Sequence, residues 1–422
     1  MTNQPLGIER AQYALALQDG YIKLAAKPDA AVRDGKLPNG LRLADLNVLE
    51  PTTPLVHAPY VLVSFGQYRD AAIKAPGIIG ARQPHQSIVI GDSGGYQFIR
   101  EPFLGDVSRW QSLRWLEENA QLAMTLDIPT RAIGVNVDFP TFEACLDTTL
   151  HNLDFIERNR AGKTRYLNVL QGRDRREINR WYDAVKHRPF NGWAFGGGTR
   201  AIGELVRLVA LMLAEGLLGP DRAHIHVLGT STASASVLLT AVQSGVRQRL
   251  GLPDFRITFD TSTPSQMMLR GRGCIGLVAD GRQFSIATAP LPDSYIYSGS
   301  ALPFPYPESP IGRLLTLGDL CVAPGHVKAG AWDDLSNAIV TNHNLGRMLA
   351  AFEQANRLAD LAPAIGSNSG RGFQGDYLPL GLVNVLAAVR RVFDAPDPVA
   401  QHQREGRAIW GAPLPDDDGE ER

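Results

Sequence analysis

The chain has 422 residues, 44% of them hydrophobic, and balances 42 lysines and arginines against 43 aspartates and glutamates for a formal charge of −1. That length and apolar content suit a large α/β barrel with insertions, and the near-zero charge supplies no global attraction for nucleic acid. Three scattered cysteines (Cys145, Cys274, Cys321) exclude a disulfide framework. No apolar run nears the roughly 20 residues that a bilayer span needs, and the N-terminus shows no signal-peptide pattern, so the expected setting is cytoplasmic with no membrane.

Residues 1–57 are expected to form an N-terminal extension, a helix from Ile8 to Ala25 followed by a loop. From 58 to 290, apolar strand-like runs alternate with helical patterns. The runs are Tyr60 to Ser64, Ser87 to Ile90, Ala132 to Val137, Tyr166 to Leu170, Gly192 to Phe195, His224 to Leu228 and Arg256 to Phe259. The helical stretches are Trp110 to Leu126, Phe142 to Arg158, Arg175 to His187, Ala201 to Ala214 and Ala233 to Ser244. Such alternation implies a parallel sheet, and seven or eight units imply a modified (β/α)8 barrel carrying the active site. Residues 291–400 read as an insertion and a C-terminal helical region that completes the barrel, with helices from Asp333 to Leu361 and from Leu378 to Phe393. The acidic tail, 401–422, is expected to be disordered.

The stretch Gly91-Asp92-Ser93-Gly94-Gly95-Tyr96-Gln97-Phe98 follows the second run. Glycines let backbone approach a flat ligand, a ring can stack on it and a carboxylate can move a proton. Gly-Asp-Ser-Gly-Gly also surrounds the nucleophile of trypsin-like proteases, which would need a histidine upstream such as His57 or His85, and neither sits in a supporting pattern. A plain strand-to-helix turn capped by Asp92 is the bland alternative.

In a barrel, reactive groups gather where strands end. The residues closing successive runs are Asp92, Asp138, Gln171-Gly172, Gly196-Gly197-Gly198, Gly229 and Asp260. Each alone could be a helix cap or turn former. Together they allow one carboxylate to attack an anomeric carbon, a second to shuttle a proton, and a third with an amide to read a purine edge. Hydrolysis of a sugar polymer could use two of the carboxylates as well.

The order Asp-Ser-Gly-Gly-Tyr-Gln, Asp138, Val169-Leu170-Gln171-Gly172, Phe195-Gly196-Gly197 and Phe259-Asp260, with Thr341-Asn342-His343-Asn344 later, resembles the tRNA-guanine transglycosylase superfamily over about residues 58–355. The resemblance implies queuosine-related chemistry: exchange of a guanine in a polynucleotide for a 7-deazaguanine such as preQ0. It makes Asp260 the nucleophile and Asp92 the general acid/base. Asp138 would bind the N1 and exocyclic amine edge of the base, and Gln171 with the Gly196-Gly197 backbone its O6 side. Tyr96 would stack on one face and Leu228 on the other, with Ser93 secondary. Arg270 and Arg272 would contact phosphates.

Three departures set this chain apart from tRNA-acting members. The Cys-x-Cys-x-x-Cys of their structural zinc is absent, and Cys321, His326 and His343 are too few and wrongly spaced to replace it, so no metal cofactor is expected. Gly196-Gly197-Gly198-Thr199-Arg200 alters the wall of the base pocket, and no second acid follows Asp138. These point to the branch that acts on DNA, with accessory proteins to open the duplex. A divergent tRNA transglycosylase and a non-catalytic nucleic-acid-binding paralogue are the alternatives.

Overall fold

The computed structural model describes residues 9–68, 73–83, 87–280, 283–361 and 379–410; His85 and the acidic end of the tail, 411–422, lie outside them. Eight strands form a closed barrel in sequence order. They are β1 (Gln12–Ala16), β2 (Tyr60–Ser64), β3 (Ile88–Asp92), β4 (Leu122–Met124), β5 (Arg165–Leu170), β6 (Gly192–Phe195), β7 (His224–Val227) and β8 (Arg256–Thr261). Every neighbouring pair is parallel, and β1 closes the ring by pairing with β8 from Gln12↔Thr258 to Leu15↔Thr261. This is the expected (β/α)8 architecture.

Two expected elements of the barrel itself differ. Only Asp19–Leu24 (α1) of the Ile8–Ala25 helix is helical, because Gln12–Ala16 is the strand that closes the barrel. Its central residues are buried, and pairing on both edges outweighs the helix propensity of an Ala/Leu-rich stretch. The run Ala132–Val137 is not a strand. The fourth strand is Leu122–Met124, three fully buried residues directly after a helix, where sequence periodicity continues the helix. Residues 130–138 are turns: Gly134 sits at φ +79°, and the Asn136 side chain donates to the carbonyls of Phe98 and Glu101.

The layer outside the strands comprises α2 (Gly77–Ala81), α3 (Asp106–Asn119), α4 (Phe142–Asn159), α5 (Arg175–Val185), α6 (Ile202–Ala214) and α7 (Ala233–Leu250). After β8 come α8 (Thr263–Leu269), an antiparallel pair β9 (Arg272–Ala279) and β10 (Phe284–Pro290), and the short α9 (Leu317–Leu320). The long α10 (Asp334–Asp360) packs on α7, α8 and β9, and α11 (Leu380–Asp394) lies on α7. A last helix, α12 (Pro398–Trp410), packs on α6 and α11 where a disordered tail from 401 was expected. Ile409 is fully buried, His402 bonds the Gly203 carbonyl at 3.1 Å and Glu405 pairs with Arg391, so this segment has an apolar face to bury.

Alternation along the strands divides the core. Ala14, Leu62, Ile90, Leu122, Met124, Leu167, Val169 and Ala194 fill the barrel, while the opposite faces meet the helices. On α5, Ile178, Trp181, Tyr182 and Val185 recur at helical spacing on the buried side. Trp181 is fully buried and its indole N–H donates to the Val169 carbonyl at 2.9 Å. Trp181→Ala should therefore destabilise the fold by roughly 3–5 kcal/mol, read as a lower urea midpoint; an unchanged midpoint would contradict this packing.

Candidate active site

In a closed parallel barrel the strand C-termini share one mouth, and side-chain alternation decides which residues point into it. On β3, Asp92 continues the inward series Ile88, Ile90, and Ser64 stands beside it on β2 in register. The Ser64 hydroxyl donates to Asp92 Oδ2 at 2.6 Å and the Gly94 amide to Oδ1 at 3.3 Å. Burial raises the Asp92 pKa, the Asp260 charge adds to the rise, and the two hydrogen bonds oppose it. A carboxyl held above its ordinary range is suited to donating and recovering a proton.

On β8, Asp260 follows Thr258 on the inward face and is 6% exposed. Its Oδ1 accepts from the Gly229 amide at 3.1 Å and contacts His226 Nε2 at 3.0 Å. Both bonds fall on one oxygen, so Oδ2 is the atom presented for chemistry. Behind Asp260 a polar string runs into the barrel: His226 Nδ1 lies 2.8 Å from Thr258 Oγ1, which lies 2.9 Å from His224 Nε2. Burial holds His224 well below the ordinary imidazole range.

The third carboxylate is Asp127, three residues beyond β4 and 6% exposed. Its Oδ2 accepts from Gln171 Nε2 at 2.9 Å. Burial, with the Asp92 charge adding and the Gln171 bond opposing, pushes its pKa up to about 7. Gln171 continues the inward series Leu167, Val169 of β5, and its buried Oε1 has no hydrogen-bond partner among the described residues. A Cβ at Gly196 would lie 2.6 Å from Gln171 Nε2, and one at Gly197 2.7 Å from Oε1. These glycines exist so that backbone can lie against the amide. Gly197 also sits at φ +51°, so a side chain there would be strained twice over. Likewise a Cβ at Gly95 would lie 2.6 Å from the Asp127 carbonyl.

Asp138 does not join this group. It is exposed in the loop before α4, beside a Val137 that is 91% exposed, and its amide donates to Asn136 Oδ1. The position expected for it, at the end of the fourth strand, belongs to Asp127. A short apolar stretch closed by Asp127-Ile128-Pro129 was the available signal.

Other expected residues divide. Tyr96 follows the Gly94-Gly95 turn and is 51% exposed, and Leu228 borders the barrel interior. Ser93 is out of phase with Asp92 and fully buried, with its carbonyl accepting from Ser112 of α3. His57 bonds Ser87, which precedes β3, whereas Ser93 follows it. Among the described residues, His57 therefore does not pair with Ser93 as the protease arrangement requires. Arg270 is exposed at the end of α8, and Arg272 donates to Thr288 Oγ1 and carbonyl O across the β9–β10 pair at 2.8 and 2.9 Å.

Sequence reasoning missed Asp127, His226, Thr258, His224, Ser64 and Arg200. Arg200 donates to the Gly197 carbonyl at 3.2 Å and to those of Leu228 and Gly229 at 3.2 and 3.0 Å, tying the loop after β6 to the loop whose Gly229 amide holds Asp260. For the histidines, the signal was His-x-His on one strand beside Thr-x-Asp on the next.

Cys321, His326 and His343 are not placed to hold a structural zinc of the kind tRNA-acting transglycosylases carry. His343 contacts Ser309 Oγ at 2.7 Å and the Cys274 carbonyl at 3.1 Å through its two nitrogens, Cys321 donates to the Pro292 carbonyl, and His326 is exposed. Among the described residues no three His, Cys, Asp or Glu side chains are grouped to hold a metal, and no helix is long and apolar enough to cross a membrane.

Asp127 makes stability depend on pH. An unfolded aspartate titrates at about 3.9, and the folded Asp127 at about 7. Between those values the folded chain holds a proton that the unfolded chain has lost, so this group's contribution falls as pH rises through the window. The buried His343, lowered to about 4, acts oppositely below the ordinary imidazole range, so the variant-minus-wild-type difference is the informative quantity. The Tm of Asp127→Asn should rise relative to wild type from about pH 5 to about pH 8; a difference flat with pH would contradict the assignment.

Compared with known proteins, the chain matches no family model and no curated protein.

Proposed function

We propose that this protein is a base-exchange transglycosylase that replaces a guanine in DNA with a 7-deazaguanine through a covalent aspartyl–nucleoside intermediate. The observation that carries the reading is the convergence of Asp92, Asp127 and Asp260 from three strand ends, with Asp92 and Asp127 held above the ordinary carboxylate range. Asp260 Oδ2 attacks C1′ of the target nucleotide as the C1′–N9 bond breaks, and Asp92 delivers a proton to the departing guanine. The incoming base then gives its N9 proton to Asp92 and attacks C1′, and the Asp260 carboxylate leaves. Two displacements at one carbon retain its configuration.

Asp127, once ionised, accepts from the N1–H and exocyclic amine of a guanine-type base, while the Gln171 amide and the Gly196-Gly197 backbone face its O6 side. The unpartnered Gln171 Oε1 favours a ligand with hydrogen-bonding edges over a sugar chain. Tyr96 and Leu228 supply the two apolar faces. DNA is preferred to tRNA because of the missing cysteine cluster and the altered Gly198-Thr199-Arg200 wall. Presenting a paired guanine costs a few kcal/mol, and a chain of net charge −1 gains little from phosphates, so an accessory protein opens the duplex; Arg270 and Arg272 remain the candidate phosphate contacts.

The test is incubation of the full chain with radiolabelled guanine or preQ0 and, separately, tRNA, single-stranded DNA and relaxed duplex DNA. Label entering DNA supports the reading. Label entering tRNA alone would transfer the activity to tRNA, and efficient exchange in relaxed duplex by this chain alone would remove the need for an accessory protein.

A further inference from the structure

With Asp260 ionised and His226 neutral, one arrangement of hydrogens satisfies the string behind Asp260. An ionised Asp260 accepts, so His226 Nε2 carries the hydrogen at the 3.0 Å contact. Neutral His226 then offers a lone pair at Nδ1, and the Thr258 hydroxyl donates to it across 2.8 Å. Having spent its one hydrogen, Thr258 Oγ1 accepts from His224 Nε2–H at 2.9 Å. His224, kept neutral by burial, completes the series. All three side chains are buried, and His226 and Thr258 fully so, which leaves water no access to compete.

We propose that His226, with its tautomer set by Thr258 and His224, is a positioning residue that makes the Asp260 carboxylate a good leaving group in the second half of the exchange. The inference rests on Asp260 being the nucleophile. In the glycosyl ester, Oδ2 is bonded to C1′ and Oδ1 is a neutral carbonyl. When the incoming base forms its bond to C1′, the Oδ2–C1′ bond breaks and its electron pair returns to the carboxylate. Negative charge reappears on Oδ1, where His226 Nε2–H and Gly229 N–H both donate. Donors aimed at an oxygen that gains charge lower the barrier of that step. The same two donors stabilise the free carboxylate more than the ester, so they restrain accumulation of the intermediate. His226 thus shifts the balance between the two half-reactions.

This separates the role from simple support of the fold. His226→Phe should lower exchange of labelled guanine by about 10²-fold while the share of protein trapped on the polynucleotide, read on a denaturing gel after acid quench, rises several-fold above wild type. His226→Gln, which keeps an N–H donor, should recover much of the exchange. Thr258→Val leaves the imidazole in place but frees its tautomer, and should move both readouts in the same directions as His226→Phe, which guards against a variant that fails to fold. The probes are the guanine-containing polynucleotide that labels best with wild type and guanine itself. A trapped share that falls together with exchange in folded His226→Phe and Thr258→Val would overturn the proposal while leaving Asp260 as nucleophile. Absence of any wild-type covalent complex on every polynucleotide would overturn the underlying reading, and this inference with it.

Discussion

Asp260→Asn should abolish base exchange and every trace of covalent complex, with turnover falling on the order of 10⁴-fold or more, the scale seen when a nucleophile is removed. The carboxamide keeps the shape of Asp260 and can still accept from Gly229 and His226 at Oδ1, so the loss belongs to the chemistry. What changes is Oδ2: a carboxylate oxygen becomes an amide nitrogen that cannot form the ester. Folding should be little disturbed, and the thermal midpoint serves as the control. A variant that still exchanges labelled guanine at a tenth of the wild-type rate would mean that another group attacks C1′. Asp92→Asn should be milder, about 10²–10⁴-fold, because it removes a proton carrier and leaves the nucleophile in place.

The second large effect contrasts two acids eleven positions apart. Asp127→Asn should lower kcat/KM for the incoming base by about 10²–10⁴-fold, since two hydrogen bonds to a charged acceptor contribute roughly 1.5–3 kcal/mol each. The asparagine also presents a donor to a base edge that is itself a donor. Asp138→Asn should leave exchange within about twofold of wild type, as expected for a surface substitution away from the site. The contrast is decisive because the motif order alone favours Asp138, whereas burial, the Gln171 bond and the proximity to Asp92 favour Asp127. If Asp138→Asn were the crippling change, the base would lie over the loop before α4 and not over the barrel mouth.

Much of the barrel was legible because six of its strands are short apolar-rich runs closed by polar or glycine residues. In those, Asp92, Gln171, Gly196, Gly197 and Asp260 could be placed by the residue that ends the run, and the structure puts each at a strand's C-terminal end. Two strands were hidden for a physical reason. β1 lies in an Ala/Leu-rich stretch whose pattern reads as helix, and β4 is three residues long and follows α3 with only Ala120 and Gln121 between them. Missing β4 displaced the third acid to Val137-Asp138, where alternating apolar residues imitate a strand but Gly134 and the Asn136 side chain turn the backbone instead. His226 and Thr258 were hidden differently. Their meaning lies in the cross-strand register His226↔Thr258, which appears only when β7 and β8 pair. The α12 helix was obscured because its apolar positions, Val399 and Ile409 with His402 between, are sparse in a charged segment and gain their partners from α6 and α11.

The central claim is that Asp260 becomes covalently attached to a polynucleotide during base exchange. The most direct measurement is acid-quenched denaturing electrophoresis of the full chain with end-labelled single-stranded DNA and, in parallel, tRNA, followed by peptide mapping of the shifted band. The expected result is a shifted band that depends on Asp260, maps to the β8 peptide, forms with DNA and disappears when excess guanine or preQ0 drives the second half-reaction. A band that persists in Asp260→Asn, or that maps to another carboxylate, would contradict it.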